Sequence, residues 1–323
     1  MSFHYSAFLF RYGAINLSSH YTRTTETNAM RNINEDTITQ AVLASLGDHC
    51  DSRLRTIMTS LVQHLHSFAR DVKLTEAEWF KAIQFLTETG HITDDKRQEF
   101  ILLSDTLGLS MLVMALNNKK PIECTEATVF GPFYVDGAPE YENGADIANG
   151  ARGEPCFVSG QIRDLDGTPV AGAQIDVWQS DEDGFYDVQK SSEGSAGPAH
   201  QARGRLRSGP DGRFHFRSIL AEAYPIPHDG PVGRMLEALG RHPWRPAHLH
   251  FMIKAPGYET LITHVFRNGD QYLDSDVVFG VRSTLITEWT KHEAGVAPDG
   301  STMKTPFYTV NYDFVLNSAE VHA

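Results

Sequence analysis

The stretch Arg245-Pro246-Ala247-His248-Leu249-His250-Phe251 decides how this chain is interpreted. Successive side chains of an extended strand point to opposite faces, so His248 and His250 are predicted to share one face while Leu249 and Phe251 pack on the other. Two imidazoles on one strand can bind one metal ion. The alternative is a half-buried strand whose polar face carries two solvated histidines, and this stretch alone favours neither interpretation.

Composition excludes several classes of partner. The 323 residues carry 41 acidic and 28 basic side chains, a formal charge of -13, which repels nucleic acid and anionic lipid surfaces. No apolar run approaches the roughly 20 residues that span a bilayer, so no membrane association is expected. Cys50, Cys124 and Cys156 are far apart and form no Cys-x-x-Cys pair, which predicts a reducing, cytoplasmic location without disulfides.

The first half of the chain has helical periodicity. Apolar residues recur three and four positions apart, as in Leu54, Ile57, Leu61 and Leu65, and they predict a helical dimerisation or linker domain over 31–120. The segment Thr75-Glu76-Ala77-Glu78 has the spacing of a capping box, with Gly90 as the predicted stop of that helix.

Residues 1–30 are predicted to be a disordered extension. Before Glu26 this segment has no acidic residue, and it contains Arg11, Arg23 and several Ser and Thr, a composition that mitochondrial transit segments share. A transit segment is therefore the alternative to a simple extension.

After Pro121 the pattern changes to short β-favouring runs between turn signals. The signals are Asp166-Gly167, Asp183-Gly184, Pro210-Asp211-Gly212 and Asn268-Gly269. They predict an antiparallel β-sandwich catalytic domain over 121–323, so the fold class is mainly β with a helical N-terminal region.

A site with two histidines needs further ligands. Tyr186, beside the Asp183-Gly184 turn, and Tyr224, in a loop before His248, are candidates, although loop tyrosines commonly bury a ring and leave the hydroxyl in water. A two-His, one-carboxylate iron site would require Glu259, the first acidic residue after His250. The chain has no Gly-x-Ser-x-Gly, Walker, dinucleotide-binding or His-Glu-x-x-His motif, so the common cofactor chemistries are unsupported.

Five motifs in one order, covering roughly residues 31 to 310, make the chain resemble the intradiol ring-cleaving dioxygenases. These motifs are Gly131-Pro132-Phe133-Tyr134-Val135, the Gly184-Phe185-Tyr186 turn, the Tyr224 loop leading to Leu239-Gly240-Arg241-His242, the 245–251 stretch and Tyr272-Leu273-Asp274-Ser275-Asp276. The arrangement looks like the hydroxyquinol 1,2-dioxygenase branch of the catechol 1,2-dioxygenase family.

The resemblance implies one non-haem ferric ion, Fe(III), per subunit. Its ligands would be Tyr186, Tyr224, His248 and His250, with Tyr224 the displaceable ligand that accepts a substrate proton. Phenolate is a hard anionic donor that favours ferric iron, whereas zinc more usually recruits Cys, His or carboxylate. The substrates would be O2 and a diol, hydroxyquinol or a catechol.

Two further catalytic residues follow from the resemblance. Arg245 would stabilise negative charge on the reacting ring, against the alternative of a surface ion pair. His264 occupies a position where catechol-type members usually have Gln. It would contact the additional hydroxyl of hydroxyquinol or orient Arg245, against the alternative of a packed histidine.

The remaining implications concern the substrate pocket and assembly. The substrate-binding residues carried over are Leu102, Asp105, Val129, Phe130, Gly131 and Pro132. A carboxylate in an apolar helix needs a partner, which for Asp105 is either a polar ring substituent or a local hydrogen bond. The resemblance also implies a homodimer through the N-terminal helices, with a phospholipid at the interface. The alternatives are a catechol or substituted-catechol 1,2-dioxygenase, and a non-catalytic transthyretin-like β-sandwich that binds a ligand.

Overall fold

The computed structural model describes residues 31–94, 97–190 and 200–319. The predicted extension over 1–30 lies outside these residues. The chain divides into two compact units between Leu86 and Thr87. This division comes earlier in the chain than the predicted domain boundary at 120/121, because the helices that follow residue 98 group with the strands.

In the described residues the first helices are, in order, α1 (Ile38–Ala44), α2 (Ser52–Asp71) and α3 (Glu76–Ile92). The carboxylate of Asp51 caps α2 by accepting a hydrogen bond from the amide of Leu54 at 2.8 Å. The apolar face predicted from the helical spacing lies on α2, and its members Leu61 and Leu65 are 53% and 57% exposed on this chain.

The predicted capping box at the start of α3 is confirmed. The Glu78 carboxylate accepts from the Thr75 amide at 2.9 Å, and the Thr75 hydroxyl accepts from the Glu78 amide at 3.3 Å. The predicted stop at Gly90 is wrong, because α3 continues through Gly90 to Ile92. Glycine in a helix interior lowers helix stability by only about 1 kcal/mol relative to alanine, so glycine alone does not end a helix.

Four helices follow, namely α4 (Glu99–Thr106), α5 (Leu109–Asn117), α6 (Asp187–Lys190) and α7 (Pro231–Ala238), with a 3-10 turn at Ser283–Leu285. The strands are β1 (Pro155–Arg163), β2 (Gln174–Trp178), β3 (Arg203–Arg207), β4 (Arg213–Ile219), β5 (Tyr224–Pro225), β6 (Trp244–Arg245), β7 (His248–Lys254), β8 (Leu261–Arg267), β9 (Ile286–Thr287), β10 (Trp289–His292), β11 (Gly295–Val296), β12 (Thr302–Met303), β13 (Phe307–Asn311) and β14 (Phe314–Val315).

The longer strands form two five-stranded sheets. One has the order β3-β2-β7-β8-β9, and the other has the order β10-β13-β1-β14 with β4 also paired to β1. The apolar side chains of both sheets contribute to one hydrophobic cluster, which includes Leu249 and Phe251 from β7 and Val158 from β1. The chain is therefore a helical N-terminal region followed by a sheet region, as predicted.

The predicted antiparallel pairing is only partly found, because the sheets are mixed and three strand pairs are parallel. β13 and β14 both lie parallel to β1, and β9 lies parallel to β8. The turn signals in the sequence specify antiparallel hairpins between neighbouring strands, whereas β13 and β14 reach β1 from more than a hundred residues away, where no local signal sets the strand direction.

Within the part of the chain that the structure describes, no single helix is long and apolar enough to cross a membrane. One bent pair of helices, α4 with α5, meets the criterion by combined length and composition.

Candidate metal centre

The two strand histidines converge on one point. β7 lies in the middle of its sheet, between β2 and β8, and His248 and His250 point to the same side of it. Their Nε2 atoms are 3.2 Å apart, and both rings are buried. Leu249 and Phe251 pack in the core on the other side, as the alternation predicts.

Both candidate tyrosines lie beside the histidines. The Tyr186 Oη atom is 2.9 Å from His250 Nε2, and the Tyr186 and Tyr224 rings meet edge to face at 5.3 Å. Gly184 allows this approach: it has φ +81°, and a Cβ there would lie 2.9 Å from the Tyr224 Cβ. The turn signal before Tyr186 is therefore also the reason that the two phenols fit together.

Arg245 is fixed above the histidines by a buried ion pair. It is the cross-strand partner of Tyr224 in the β5-β6 ribbon, and its Nε donates to Asp276 Oδ1 at 3.1 Å. Its Nη1 lies 3.2 Å from His248 Nε2 and donates to Tyr224 Oη at 3.5 Å. Burial alone would lower the pKa of Arg245, but the Asp276 carboxylate offsets that effect and raises it. The guanidinium therefore stays charged beside the four ligand candidates.

His264 contacts the histidine pair from the neighbouring strand. It lies opposite His250 in the β7-β8 pairing, and its Nε2 is 2.8 Å from His250 Nδ1. Its other ring nitrogen, Nδ1, is 3.1 Å from Thr128 Oγ1. Both hydrogen-bonding atoms of His264 are thus within reach of protein groups, and its predicted contacts with substrate or Arg245 stay predictions.

Burial sets the charge state of the cluster. It lowers the pKa of His248 and His250 well below the ordinary value, and the Arg245 charge lowers them further. Burial also raises the pKa of Tyr186 well above its ordinary value, with the neighbouring Tyr224 adding to the effect. The imidazoles are consequently neutral and offer lone pairs, while a buried phenolate requires a nearby cation.

The donor set fits a metal ion. Among the residues that the structure describes, the one group of histidine, cysteine and carboxylate ligand atoms that converges within 4.8 Å is His248, His250 and His264. Glu259, the carboxylate of the alternative iron site, does not belong to that group. Tyr186 and Tyr224 add phenol oxygens to it, so the oxygen donors here are phenols and not carboxylates.

The predicted substrate-binding residues differ in burial, and their contact with substrate stays a prediction. Leu102 on α4 and Val129 are buried and pack in one hydrophobic cluster with Ile226, Val277 and Val278.

Asp105 is buried on the same helix as Leu102 and interacts electrostatically with Arg245 and Asp276. Burial raises its pKa, against the lowering effect of a hydrogen bond from Ser110 and of the Arg245 charge. Ser110 is therefore the local polar neighbour of this carboxyl group. The carboxyl group also interacts electrostatically with the Arg245 guanidinium of the site.

The segment 130–132 lies partly over His250. A Cβ at Gly131, which has φ +77°, would lie 3.1 Å from the His250 ring, so only glycine brings the backbone this close. Phe130 packs against Trp178, with the ring centroids 5.9 Å apart, and Pro132 is exposed.

Sequence reasoning did not predict the roles of Asp276 and Trp178, which contact Arg245 and His250. Asp276 occurs in a motif quoted for the resemblance, but its pairing with Arg245 spans 31 positions and has no local signal. Trp178 lies opposite His250 across the β2-β7 pair and stacks on its ring at 4.7 Å with an interplanar angle of 14°. Its place in the site follows from strand register alone.

A second buried ion pair fixes the backbone next to Tyr186. The Arg203 Nε donates to Asp187 Oδ2 at 3.0 Å, and both side chains are buried. Asp187 directly follows the ligand candidate Tyr186 and begins α6, so this pair anchors the turn that presents the phenol.

Comparison with known proteins agrees with this geometry. The family described as "Catechol dioxygenase N terminus" matches residues 51–125, and the family described as "Dioxygenase" matches residues 129–318. The chain is 60% identical to a 6-chlorohydroxyquinol 1,2-dioxygenase of Cupriavidus pinatubonensis, over 89% of this chain and 99% of that protein. It is 51% identical to a hydroxyquinol 1,2-dioxygenase of Nocardioides simplex, over 91% of this chain and 99% of that protein.

A solved structure is also similar. The hydroxyquinol 1,2-dioxygenase of Pseudomonas putida superposes with a TM-score of 0.82 at 47% identity, covering 88% of this chain and 99% of that one. The two family matches extend over both regions of the chain, and the second spans the four ligand candidates and Arg245. The chain therefore belongs to the intradiol ring-cleavage dioxygenase family.

Proposed function

We propose that this protein is an iron(III)-dependent intradiol dioxygenase that cleaves hydroxyquinol, 1,2,4-trihydroxybenzene, with O2 to give maleylacetate, the tautomer of 3-hydroxy-cis,cis-muconate. One observation carries the proposal. Two buried phenols and two buried neutral imidazoles from separate segments meet beside one buried guanidinium. The relatives whose names specify hydroxyquinol match nearly the whole chain, which supports the substrate.

The cofactor is one ferric ion, held by Tyr186, Tyr224, His248 and His250. Phenolate oxygen is a hard anionic donor that suits a small, highly charged cation, and imidazole completes a set suited to iron. The three cysteines are not among the ligand candidates, which argues against a thiolate zinc site. When bound, the ferric ion would hold the diol through both oxygens and make its ring reactive towards O2.

The chain's own residues supply the remaining chemistry. The Tyr224 phenolate would accept a proton from the substrate diol. The neighbouring Arg245 Nη1, 3.5 Å from the Tyr224 Oη, would stabilise the phenolate before that transfer and the negative charge that develops on the ring. Burial among aromatic side chains excludes water from this step.

Selectivity for the third hydroxyl is assigned to Asp105. It is a buried carboxyl group that can accept a hydrogen bond from that hydroxyl. Leu102 and Val129 form the apolar wall beside it. Catechol lacks the third hydroxyl, so it would leave Asp105 without that partner and is the competing substrate to test.

The decisive experiment measures oxygen uptake on hydroxyquinol and catechol in parallel, with the products identified by mass and the iron content determined. We expect both O2 atoms in the product, one iron per subunit and a preference for hydroxyquinol. Asp105→Ala should reduce that preference, while Glu259→Ala, outside the site, should retain it. A strong preference for catechol would mean that the protein is a catechol 1,2-dioxygenase. Colourless, iron-free protein without turnover would favour the non-catalytic transthyretin-like β-sandwich.

The assembly is proposed as a homodimer. The exposed apolar face of α2 supports it, because a helix with such a face normally packs against a partner. We place this face between subunits, with a phospholipid in the apolar groove there, to be sought by lipid extraction and mass spectrometry. The isolated cysteines support a cytoplasmic location.

The finer architecture is likewise proposed. The hydrophobic cluster that both five-stranded sheets share supports a β-sandwich. We assign residues 31–120 to the helical dimerisation domain and 121–323 to the catalytic domain, with limited proteolysis as the test of that boundary.

A further inference from the structure

His248 has a fixed tautomer. Its Nδ1 lies 2.7 Å from the backbone carbonyl oxygen of Pro246, which can only accept a hydrogen bond. The neutral ring therefore carries its proton on Nδ1 and keeps the Nε2 lone pair free to face the metal position. The backbone alone makes this histidine competent to bind a metal.

His250 has no such carbonyl partner. Its Nδ1 faces His264 Nε2 at 2.8 Å, and His264 Nδ1 faces Thr128 Oγ1 at 3.1 Å. All three side chains are buried, so water does not substitute for a lost partner. The protonation of His250 is thus set by two side chains and not by the backbone.

This chain of hydrogen bonds has two possible directions, because a hydroxyl group both donates and accepts. In one direction His250 Nδ1 donates to His264, and His264 Nδ1 donates to Thr128, which leaves the His250 Nε2 lone pair free. In the other direction Thr128 donates first, and the proton of His250 is left on Nε2, where it blocks metal binding. Only the first direction is compatible with a ligand role for His250.

We propose that His264 and Thr128 are positioning residues that hold His250 in its metal-binding tautomer: His264 accepts a hydrogen bond from His250 Nδ1–H, and Thr128 accepts one from His264 Nδ1–H. This role rests on the proposed function for the identity of the metal as iron. It also explains why His264 is buried with both ring nitrogens bonded to protein: its hydrogen bonds are used within the site and not on the substrate hydroxyl. Stacking of Trp178 on His250 holds the ring plane that this relay requires.

The test uses two pairs of variants. His264→Leu removes the acceptor, and His264→Gln restores one, because an amide oxygen can accept from His250 while its NH2 donates to Thr128. Thr128→Val removes the hydroxyl at nearly constant shape, and Thr128→Ser restores it. Each disruptive variant therefore has a matched conservative control that separates hydrogen bonding from loss of packing.

Two readouts do not depend on turnover. Long-range proton-nitrogen NMR of protein labelled with nitrogen-15 histidine reports the tautomers in the metal-free protein and in protein loaded with gallium(III), a diamagnetic trivalent ion. The rate of iron release to a chelator reports retention. We expect His264→Leu and Thr128→Val to release iron about 10–100-fold faster, because removal of an outer-shell partner typically lowers metal affinity by that factor and a weaker ligand dissociates faster. The Gln and Ser variants should resemble the parent.

The competing role for His264 gives a different pattern. If His264 contacts the substrate hydroxyl, His264→Leu should raise the KM for hydroxyquinol and not for catechol, with unchanged iron release, and Thr128→Val should have no effect. That pattern, or unchanged His250 tautomers in both disruptive variants, would overturn the relay. Failure of the proposed function is distinguishable, because an inactive parent protein would still show the tautomer and gallium-binding differences.

Discussion

Two surfaces of this protein depart from the rule that polar side chains face water and apolar ones face the core, and they do so in opposite directions. The site face of β7 buries imidazoles, phenols and a guanidinium, whereas the outer face of α2 exposes leucines. Buried polar groups need partners, and exposed apolar faces need cover. The proposed ferric ion would be the partner of the first surface, and the proposed second subunit would cover the second.

The largest effect is expected at the buried face, from Tyr224→Phe. Loss of the phenolate that accepts the substrate proton should lower kcat about 10²–10⁴-fold, the usual contribution of a positioned base. Iron should remain bound through Tyr186, His248 and His250. Steady-state kinetics and iron content check both parts.

Tyr186→Phe is the matched control, because it removes a phenol from the same cluster that has no assigned proton transfer. It should lose the visible tyrosinate-to-iron absorption more strongly than Tyr224→Phe. If Tyr224→Phe instead loses its iron, the exchangeable ligand has been assigned to the wrong tyrosine.

Arg245→Met tests whether the buried charge serves chemistry as well as structure. Removal of the cation should lower kcat about 10²–10³-fold, as loss of a donor to developing negative charge does. It should also lower the free energy of unfolding by about 3–5 kcal/mol, because Asp276 is left buried and unpaired. Denaturant titration measures the second effect.

The double variant Arg245→Met with Asp276→Asn separates the two roles. It removes both charges, so stability should recover while activity stays low. Recovery of activity in the double variant would mean that Arg245 acts only by neutralising Asp276.

Local periodicity accounts for what the sequence predicted at the site. The two-residue repeat of a strand places His248 and His250 on one face, and the capping-box spacing places the start of α3 at Glu76. Both predictions use residues a few positions apart. The turn at Asp183-Gly184 was predictable for the same reason, because Gly184 has the positive φ that an Asp-Gly turn indicates.

Contacts between distant segments account for what the sequence did not predict. Thr128 reaches His264 across 136 positions, and Asp276 reaches Arg245 across 31. The parallel pairing of β13 with β1 is of the same kind. Such contacts depend on strand register, which one sequence specifies only through the sum of its packing.

Charged substitutions on the exposed apolar face of α2 test the proposed dimer. Leu61→Glu together with Leu65→Glu should weaken self-association, because truncating a central apolar contact typically removes more than about 1 kcal/mol of binding free energy. The fold of the single chain should change little, since both side chains are exposed on it. Sedimentation velocity over a concentration series measures the change.

Gln63→Glu is the matched control, because it adds the same charge about half a turn away on the same helix. It should leave self-association unchanged. If the double variant also remains unchanged, the apolar face of α2 is covered by something other than a second copy.

The smallest effect is expected at the start of α3. There the exposed pair Thr75–Glu78 can be compared with the buried pair Arg245–Asp276. Thr75→Ala should destabilise the helix by about 0.5–2 kcal/mol, the usual contribution of an N-cap hydroxyl. Hydrogen bonds from the Thr75 amide and hydroxyl lower the pKa of Glu78. The stabilisation from this carboxylate is therefore complete above its ordinary pKa of 4.5 and is lost as the pH falls through the lowered value.

Amide hydrogen exchange in the first turn of α3, measured at pH values above and below the Glu78 pKa, separates the contribution of the Thr75 hydroxyl from that of the Glu78 carboxylate. The parent protein should lose protection on acidification, and Thr75→Ala should begin lower and change less, because the hydrogen bonds that lower the Glu78 pKa are weakened. Thr56→Ala removes an exposed hydroxyl that bonds only within α2 and should leave α3 unaffected. Equal pH dependence in Thr75→Ala and the parent would mean that the carboxylate stabilises α3 through the helix dipole alone, without its bonds to Thr75.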